Sequence, residues 1–264
     1  MQNSELQQTI APDSSVLSAM DTKTERTETR TYEYRKLASM WSSLEPEIQR
    51  ALWKSDPLIP PIINSLYWMW NHTKTCDPQD PSQSYKPFPA DRPYLKVLHK
   101  VWIKAPIMFV EKSRTMLASW WIAAETLHWV MSRQPAKGIF WALDEDRAIA
   151  LLDYAKTLYE QQDAIFKTIF PLDRPLDRQA YNRLEFKDGG LLIALPGKDP
   201  DKIRSEHPTI VIIDEAAFIQ NGGESFDIAL SSRVPKMACI SSAAPGWFYN
   251  MTKDARPVPL EKYL

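Results

Sequence analysis

Apolar and polar positions along the chain follow two rhythms, and the change between them falls near Pro93. Residues 1–31 are polar, charged and only weakly periodic, which reads as a flexible leader. From Tyr32 to Trp53, apolar residues recur at mixed three- and four-residue spacing (Leu37, Met40, Trp41, Leu44, Ile48, Leu52), the pattern of an amphipathic helix. A second helical stretch, Ile62–Asn71, follows a Pro-Pro pair, and the Pro-rich run Asp77–Pro93 reads as a loop. Residues 32–93 are therefore expected to form a helical appendage and linker ahead of a domain over 94–264.

Beyond Pro93 the pattern alternates. Pro106–Val110 (PIMFV) predicts a short buried strand, and Ser119–Ser132 a helix. Gly138–Leu143 predicts a strand that ends at Asp144, placed to cap a helix over Glu145–Gln161. In that helix Ala148, Leu151, Leu152, Ala155 and Leu158 mark the inward face. Arg183–Leu195 predicts a hairpin turning at Asp188-Gly189-Gly190, and Thr209–Ile213 and Lys236–Ser242 predict two more strands. Strands that alternate with helices and are apolar on both faces imply an α/β fold, with a mostly parallel sheet covered on both sides.

Charge narrows the functional classes. Lys plus Arg (32) nearly cancels Asp plus Glu (33), so no bulk basic footprint is present to hold nucleic acid; a local patch or a ring of subunits would have to grip it. The two cysteines, Cys76 and Cys239, lack CxxC spacing and suggest a reducing compartment without disulfides. His72, His99, His128 and His207 lie in separate segments, with no zinc-ligand spacing. No apolar run is long enough to span a bilayer.

Three short segments carry the chemistry. The strand PIMFV leads through Lys112, Ser113, Arg114, Thr115, Met116, Leu117, Ala118 and Ser119 into a helix that continues with Trp120. This is the strand–loop–helix setting in which backbone N–H groups and a helix N-terminus meet phosphate. Set on the pattern G-x-x-x-x-G-K-[ST], only the hydroxyl of Ser119 survives; Lys112 and Leu117 stand where glycines belong and Ala118 where the lysine belongs. Lys112 can still supply a cation from the front of the loop, Arg114 a second, and Ser119 a ligand for Mg²⁺. A leucine in the left-handed conformation is disfavoured by roughly 1–2 kcal/mol, which points to a loop of different path. An ordinary turn with surface basic residues is the competing reading.

Thr209–Glu215 (TIVIIDE) is a β-branched strand closing in two carboxylates, the form in which one acid supports Mg²⁺ and the next activates water. Acids welcomed by a helix start are the alternative. Finally, Ala238–Gly246 (ACISSAAPG) is an apolar strand ending in small hydroxyl residues and a Pro-Gly turn. Trp102, just before the phosphate-loop strand, fits core packing better than contact with adenine, and Trp120, Trp121 and Trp129 fit the core better than base stacking.

Together, KSRTMLASW, IRSEHPTIVIIDEAAF and SSAAPG resemble the large terminases of tailed bacteriophages, which often carry a displaced basic residue in their phosphate loop. The resemblance covers about residues 95–255. It implies a P-loop ATPase with an additional strand between the phosphate-loop strand and the acidic strand. It also implies ATP and Mg²⁺ as substrate and cofactor, with Asp214 and Ser119 on the metal and Glu215 as the base. Arg204, or alternatively Arg114, would be the arginine finger, and Ser241, Ser242 and Ala243 would form the γ-phosphate sensor. Expected partners are double-stranded viral DNA, a portal protein, a small terminase subunit and further copies in a ring on the procapsid, in the host cytoplasm and away from membranes. The chain ends at Leu264, shortly past the sensor strand, so the RNase H-like nuclease domain of such proteins is expected to be missing. A different DNA translocase or helicase, or a terminase-like domain with an inactive nucleotide site, are the alternatives.

Overall fold

The computed structural model describes residues 30–76, 85–113, 116–133 and 136–254. The leader expected over 1–31 lies almost wholly outside them. So does 77–84 of the Pro-rich run.

The helical stretches before Pro93 are more divided than their periodicity suggests. Residues 30–40 form α1, and Trp41–Ser43 a 3₁₀ turn, before α2 (Pro46–Ser55) begins with Pro46 in its first turn. Proline has no N–H for the preceding turn and holds Glu45 extended (ψ 141°), so the single helix expected over Tyr32–Trp53 is split. Asn64 divides α3 (Ile59–Ile63) from α4 (Ser65–His72) by accepting the N–H of Tyr67. A two-residue ribbon, β1 (Lys74–Thr75) and β2 (Lys86–Pro87), comes next, followed by α5 (Pro93–Lys104), a helix its pattern did not announce.

The remaining elements are β3 (Ile107–Glu111), α6 (Ala118–Ser132), β4 (Lys137–Ala142), α7 (Glu145–Glu160), α8 (Ala164–Ile169), β5 (Arg183–Glu185), β6 (Leu191–Pro196), α9 (Asp201–Glu206), β7 (Ile210–Asp214), α10 (Gly222–Ser231), β8 (Lys236–Ser241) and α11 (Trp247–Asp254). The main sheet has six strands in the order β3-β8-β7-β4-β6-β5, all parallel except the β5 hairpin arm. β8 thus lies between β3 and the acidic strand β7, the additional strand expected between these two. Asp144 caps α7 through the N–H of Arg147, and the hairpin turns with Gly189 at φ 84°.

Burial on both faces explains the composition of the strands. In β7, Ile210 and Ile212 enter one core with α6 and α7, while Val211 and Ile213 enter the other with α10 and α11. Tyr34, Ile62, Trp68 and Met69 from the N-terminal helices share the first core. A buried carboxylate adds direction to that packing: Glu125 of α6 accepts from Ser65 (2.5 Å) and Trp121 (3.1 Å) and pairs with His99 Nδ1 at 2.8 Å. α4 and α5 are thereby fixed to α6. Among the described residues, no helix is long and apolar enough to cross a membrane.

Candidate functional site

Parallel strands deliver their C-terminal ends to one edge, and in an open α/β sheet the loops at that edge enclose ligands. Here the register aligns Glu111 of β3 with Ser241 of β8, and Ile240 with Asp214 of β7. The backbone N–H of Lys112 continues this ladder by donating to Ser241 O at 2.9 Å. The three segments singled out in the sequence therefore converge on adjacent strand ends.

Lys112 extends across the sheet edge to Glu215, Nζ to Oε1 3.2 Å, with the lysine side chain 11% exposed. Five residues on, Leu117 adopts φ 52° and ψ 12° and caps α6, its carbonyl accepting from Trp121 N at 2.9 Å. The loop thus keeps the left-handed residue of a glycine-bearing phosphate loop although leucine supplies it, and the expectation of a different path is corrected at this position. Tertiary packing of the partly buried Leu117 side chain against the main core offsets the strain. Ala118 is buried, and Ser119 lies in the first turn of α6. Arg114 and Thr115 lie outside the described residues.

The acidic pair divides sharply. Asp214 is 8% exposed, and its Oδ1 is buried with no hydrogen-bond partner among the described residues. Burial pushes its pKa up to about 6, opposed by the positive charges of Lys112 and Arg147 and reinforced by Glu215. Glu215 itself sits at φ 50° and ψ 38°, a conformation that swings its side chain out of the strand. Two bonds hold the turn behind it: Ala217 N–H donates to Ser241 Oγ (3.2 Å), and the Trp247 indole N–H donates to Ala216 O (3.0 Å). The fully buried Ser241 hydroxyl is thus engaged with the acidic turn, whereas Ser242 and Ala243 line the open cleft.

That cleft is a cavity of about 660 Å³ walled by Ser119, Arg147, Tyr154, Asp214, Glu215 and Ser242. A second cavity of about 640 Å³ adjoins it at Ser119 and Tyr154 and runs along Lys112, Ser113, Met116, Leu117, Ala118 and Trp120. Both volumes suit a small-molecule ligand. Trp120 stacks on Tyr154 at the junction, centroids 4.3 Å apart and 25° between planes. Trp102, by contrast, is 2% exposed and packs edge-on against Trp121, so core packing prevails there. Arg204 on α9 is 60% exposed, pairs with Asp201 at 3.6 Å, and lines neither cavity.

Arg147, Tyr154 and Trp247 went unnoticed in the sequence. Arg147 sits in the first turn of α7, and its Nε lies 3.6 Å from Asp144 Oδ2 while the side chain remains about half exposed (52%). The only advance signal was that β4 ends in a helix cap; that β4 lies beside β7 follows from topology.

Hard oxygen ligands and few protein contacts suit Mg²⁺, which usually takes one or two carboxylates and completes its shell with water and substrate phosphates. The orphaned Asp214 oxygen and the Ser119 hydroxyl on the same cavity wall fit that requirement.

No family model matches the chain, and no curated protein matches it. Among solved structures, the ATPase domain of the Thermus phage P74-26 large terminase is similar at 19% identity and a TM-score of 0.47, over 63% of this chain and 69% of that one. A mutant of the same domain is similar at 20% identity and a TM-score of 0.44, with the same coverage.

Proposed function

We propose that this chain hydrolyses ATP to ADP and phosphate, as the motor domain of a viral large terminase that drives double-stranded DNA into a procapsid. The observation that carries the reading is the buried, unpartnered Oδ1 of Asp214 on the cavity wall shared with Ser119, Arg147 and Glu215. A carboxylate held charged there without a partner is costly, and a cation in the cavity offsets it.

Lys112 and the N–H groups at the start of α6 bind the phosphates, the lysine leaving Glu215 as the anion arrives. Ser119 and Asp214 would hold Mg²⁺, which would supply neutralisation of the phosphate charge. Glu215, freed from Lys112, orients a water and takes its proton as the water attacks the γ-phosphorus. Arg147 meets the charge developing on the γ-phosphoryl oxygens from within the same subunit, whereas the exposed Arg204 is available to a neighbour's site. Ser242 contacts the γ-phosphate, and Ser241 transmits its presence to the acidic turn through Ala217.

On this reading the partners are double-stranded viral DNA, a portal protein, a small terminase subunit and further copies of the chain in a ring, at the procapsid in the host cytoplasm. Release of phosphate from Mg-ATP, measured for the chain and for Glu215→Gln, tests the enzymatic part. Turnover that the variant loses supports it; equal rates in both proteins refute the role of Glu215.

A further inference from the structure

The acidic turn is held from both ends of one short segment. Ser241 closes β8, and its hydroxyl accepts the Ala217 N–H; at the far end of the segment the Trp247 indole N–H donates to Ala216 O. Between these two attachments lie Ser242 and Ala243, which line the cleft together with Glu215. Glu215 immediately precedes the anchored residues and holds φ 50°, a conformation that persists in a non-glycine residue only where its surroundings impose it. Ala216 O also accepts from Ile219 N–H, but at 3.3 Å that bond is longer than the 3.0 Å bond from Trp247.

Gly222 shows that room is left for this indole. Among the described residues the glycines at positive φ are Gly189 and Gly246, so backbone conformation does not explain a glycine at the head of α10, where alanine is the better helix former. Space explains it. A Cβ at position 222 would stand 2.5 Å from Trp247 Nε1 and 2.7 Å from Cε2, closer than non-bonded heavy atoms pack. One helical turn on, Phe226 flanks the same ring, centroids 6.2 Å apart and 31° between planes. The indole therefore rests on the start of α10 with its N–H turned to the acidic turn.

We infer that Trp247 is a positioning residue for the proposed base: seated by Gly222, its N–H fixes the turn that begins at Glu215, and so the direction of that carboxylate. The inference rests on the hydrolytic role proposed for Glu215 and adds a residue that acts only through it. Trp247→Phe removes the N–H and keeps a ring beside Phe226, whereas Gly222→Ala keeps the N–H and displaces the ring. Phosphate release, calorimetric affinity for Mg²⁺ with a non-hydrolysable ATP analogue, and urea unfolding are measured for the wild type, both single variants and the double variant. Each single variant should lower turnover about tenfold, the worth of one hydrogen bond, while analogue affinity stays within about twofold of the wild type. Gly222→Ala should add nothing further to Trp247→Phe, because the indole atoms it strikes are gone. Wild-type turnover in Trp247→Phe overturns the positioning role. So does a loss of analogue affinity or of the urea midpoint in step with turnover, the behaviour of a residue that only supports the fold. Additive effects in the double variant overturn the seat at Gly222. No phosphate release by the wild type overturns the hydrolytic reading itself, and the positioning role with it.

Discussion

Lys112 and Glu215, 103 residues apart in the chain, meet as an ion pair at 3.2 Å across the ends of β3 and β7. The pair joins the proposed phosphate-binding lysine to the proposed base, so the two charges neutralise each other. A phosphate must compete with Glu215 for Lys112, and the carboxylate also repels the incoming anion. Glu215→Gln should therefore bind Mg-ATP about three- to tenfold more tightly than the wild type while losing turnover. Calorimetry on the two proteins decides it; weaker binding by the variant would show that the pair supports the site instead of blocking it.

Asp214 links stability to pH. Its folded pKa (about 6) lies above the ordinary carboxylate value of 3.8, so the folded state holds the proton more tightly than the unfolded chain. The group's contribution is therefore present at low pH and lost as pH rises through that interval, leaving a buried charge above it. Asp214→Asn should match the wild type near pH 4 and exceed it by roughly 1–2 kcal/mol at pH 7, with loss of Mg²⁺-dependent nucleotide binding. Urea unfolding across the pH range reads the first effect, and a wild type more stable than the variant at pH 7 would contradict it.

Leu117 stores strain where a phosphate loop ordinarily has glycine. Leu117→Gly removes the steric conflict at φ 52° but also removes apolar contacts and adds chain entropy. Its stability should stay within about 1 kcal/mol of the wild type, while Leu117→Val should lose about 1–2 kcal/mol because β-branching crowds the left-handed region further. Equal stability of the valine variant, measured by chemical denaturation, would place the strain elsewhere.

Much of this was legible in the sequence for a simple reason: β7 and β8 are buried on both faces, so their sequences are unbroken apolar runs whose ends are marked by the first polar residues, Asp214 and Ser241. Other parts depend on tertiary contacts that no local pattern carries. α5 was passed over because the prolines before it suggested a loop, although Pro93 starts the helix. α9, α10 and α11 are short and take their order from packing. Leu117 was judged by intrinsic cost, which its contacts overrule. The Ser241 hydroxyl was read as facing the ligand, but a strand residue's face depends on register, and it turns to Ala217. Arg147 reaches the cleft because β4, which leads into α7, pairs with β7, a long-range contact that no local pattern encodes.

Arg147 therefore separates charge stabilisation in cis from stabilisation by a neighbour. If it meets the γ-phosphoryl group, Arg147→Ala should lower turnover on the order of a hundredfold and leave Mg-ADP affinity unchanged. Arg204→Ala should leave nucleotide binding by the single subunit untouched, since that side chain lines neither cavity. Phosphate-release assays paired with ADP titrations distinguish the two, and full activity in Arg147→Ala would remove it from the chemistry.

Nucleotide phosphates are proposed to bind a loop that lacks glycine and carries its lysine, Lys112, at the front. Calorimetric titration of Mg-ATP into the wild type and Lys112→Ala tests it without requiring turnover or a neighbouring subunit. Saturable binding by the wild type, weakened at least about tenfold in the variant, is the predicted result. Equal binding by both proteins, or none by either, would contradict it.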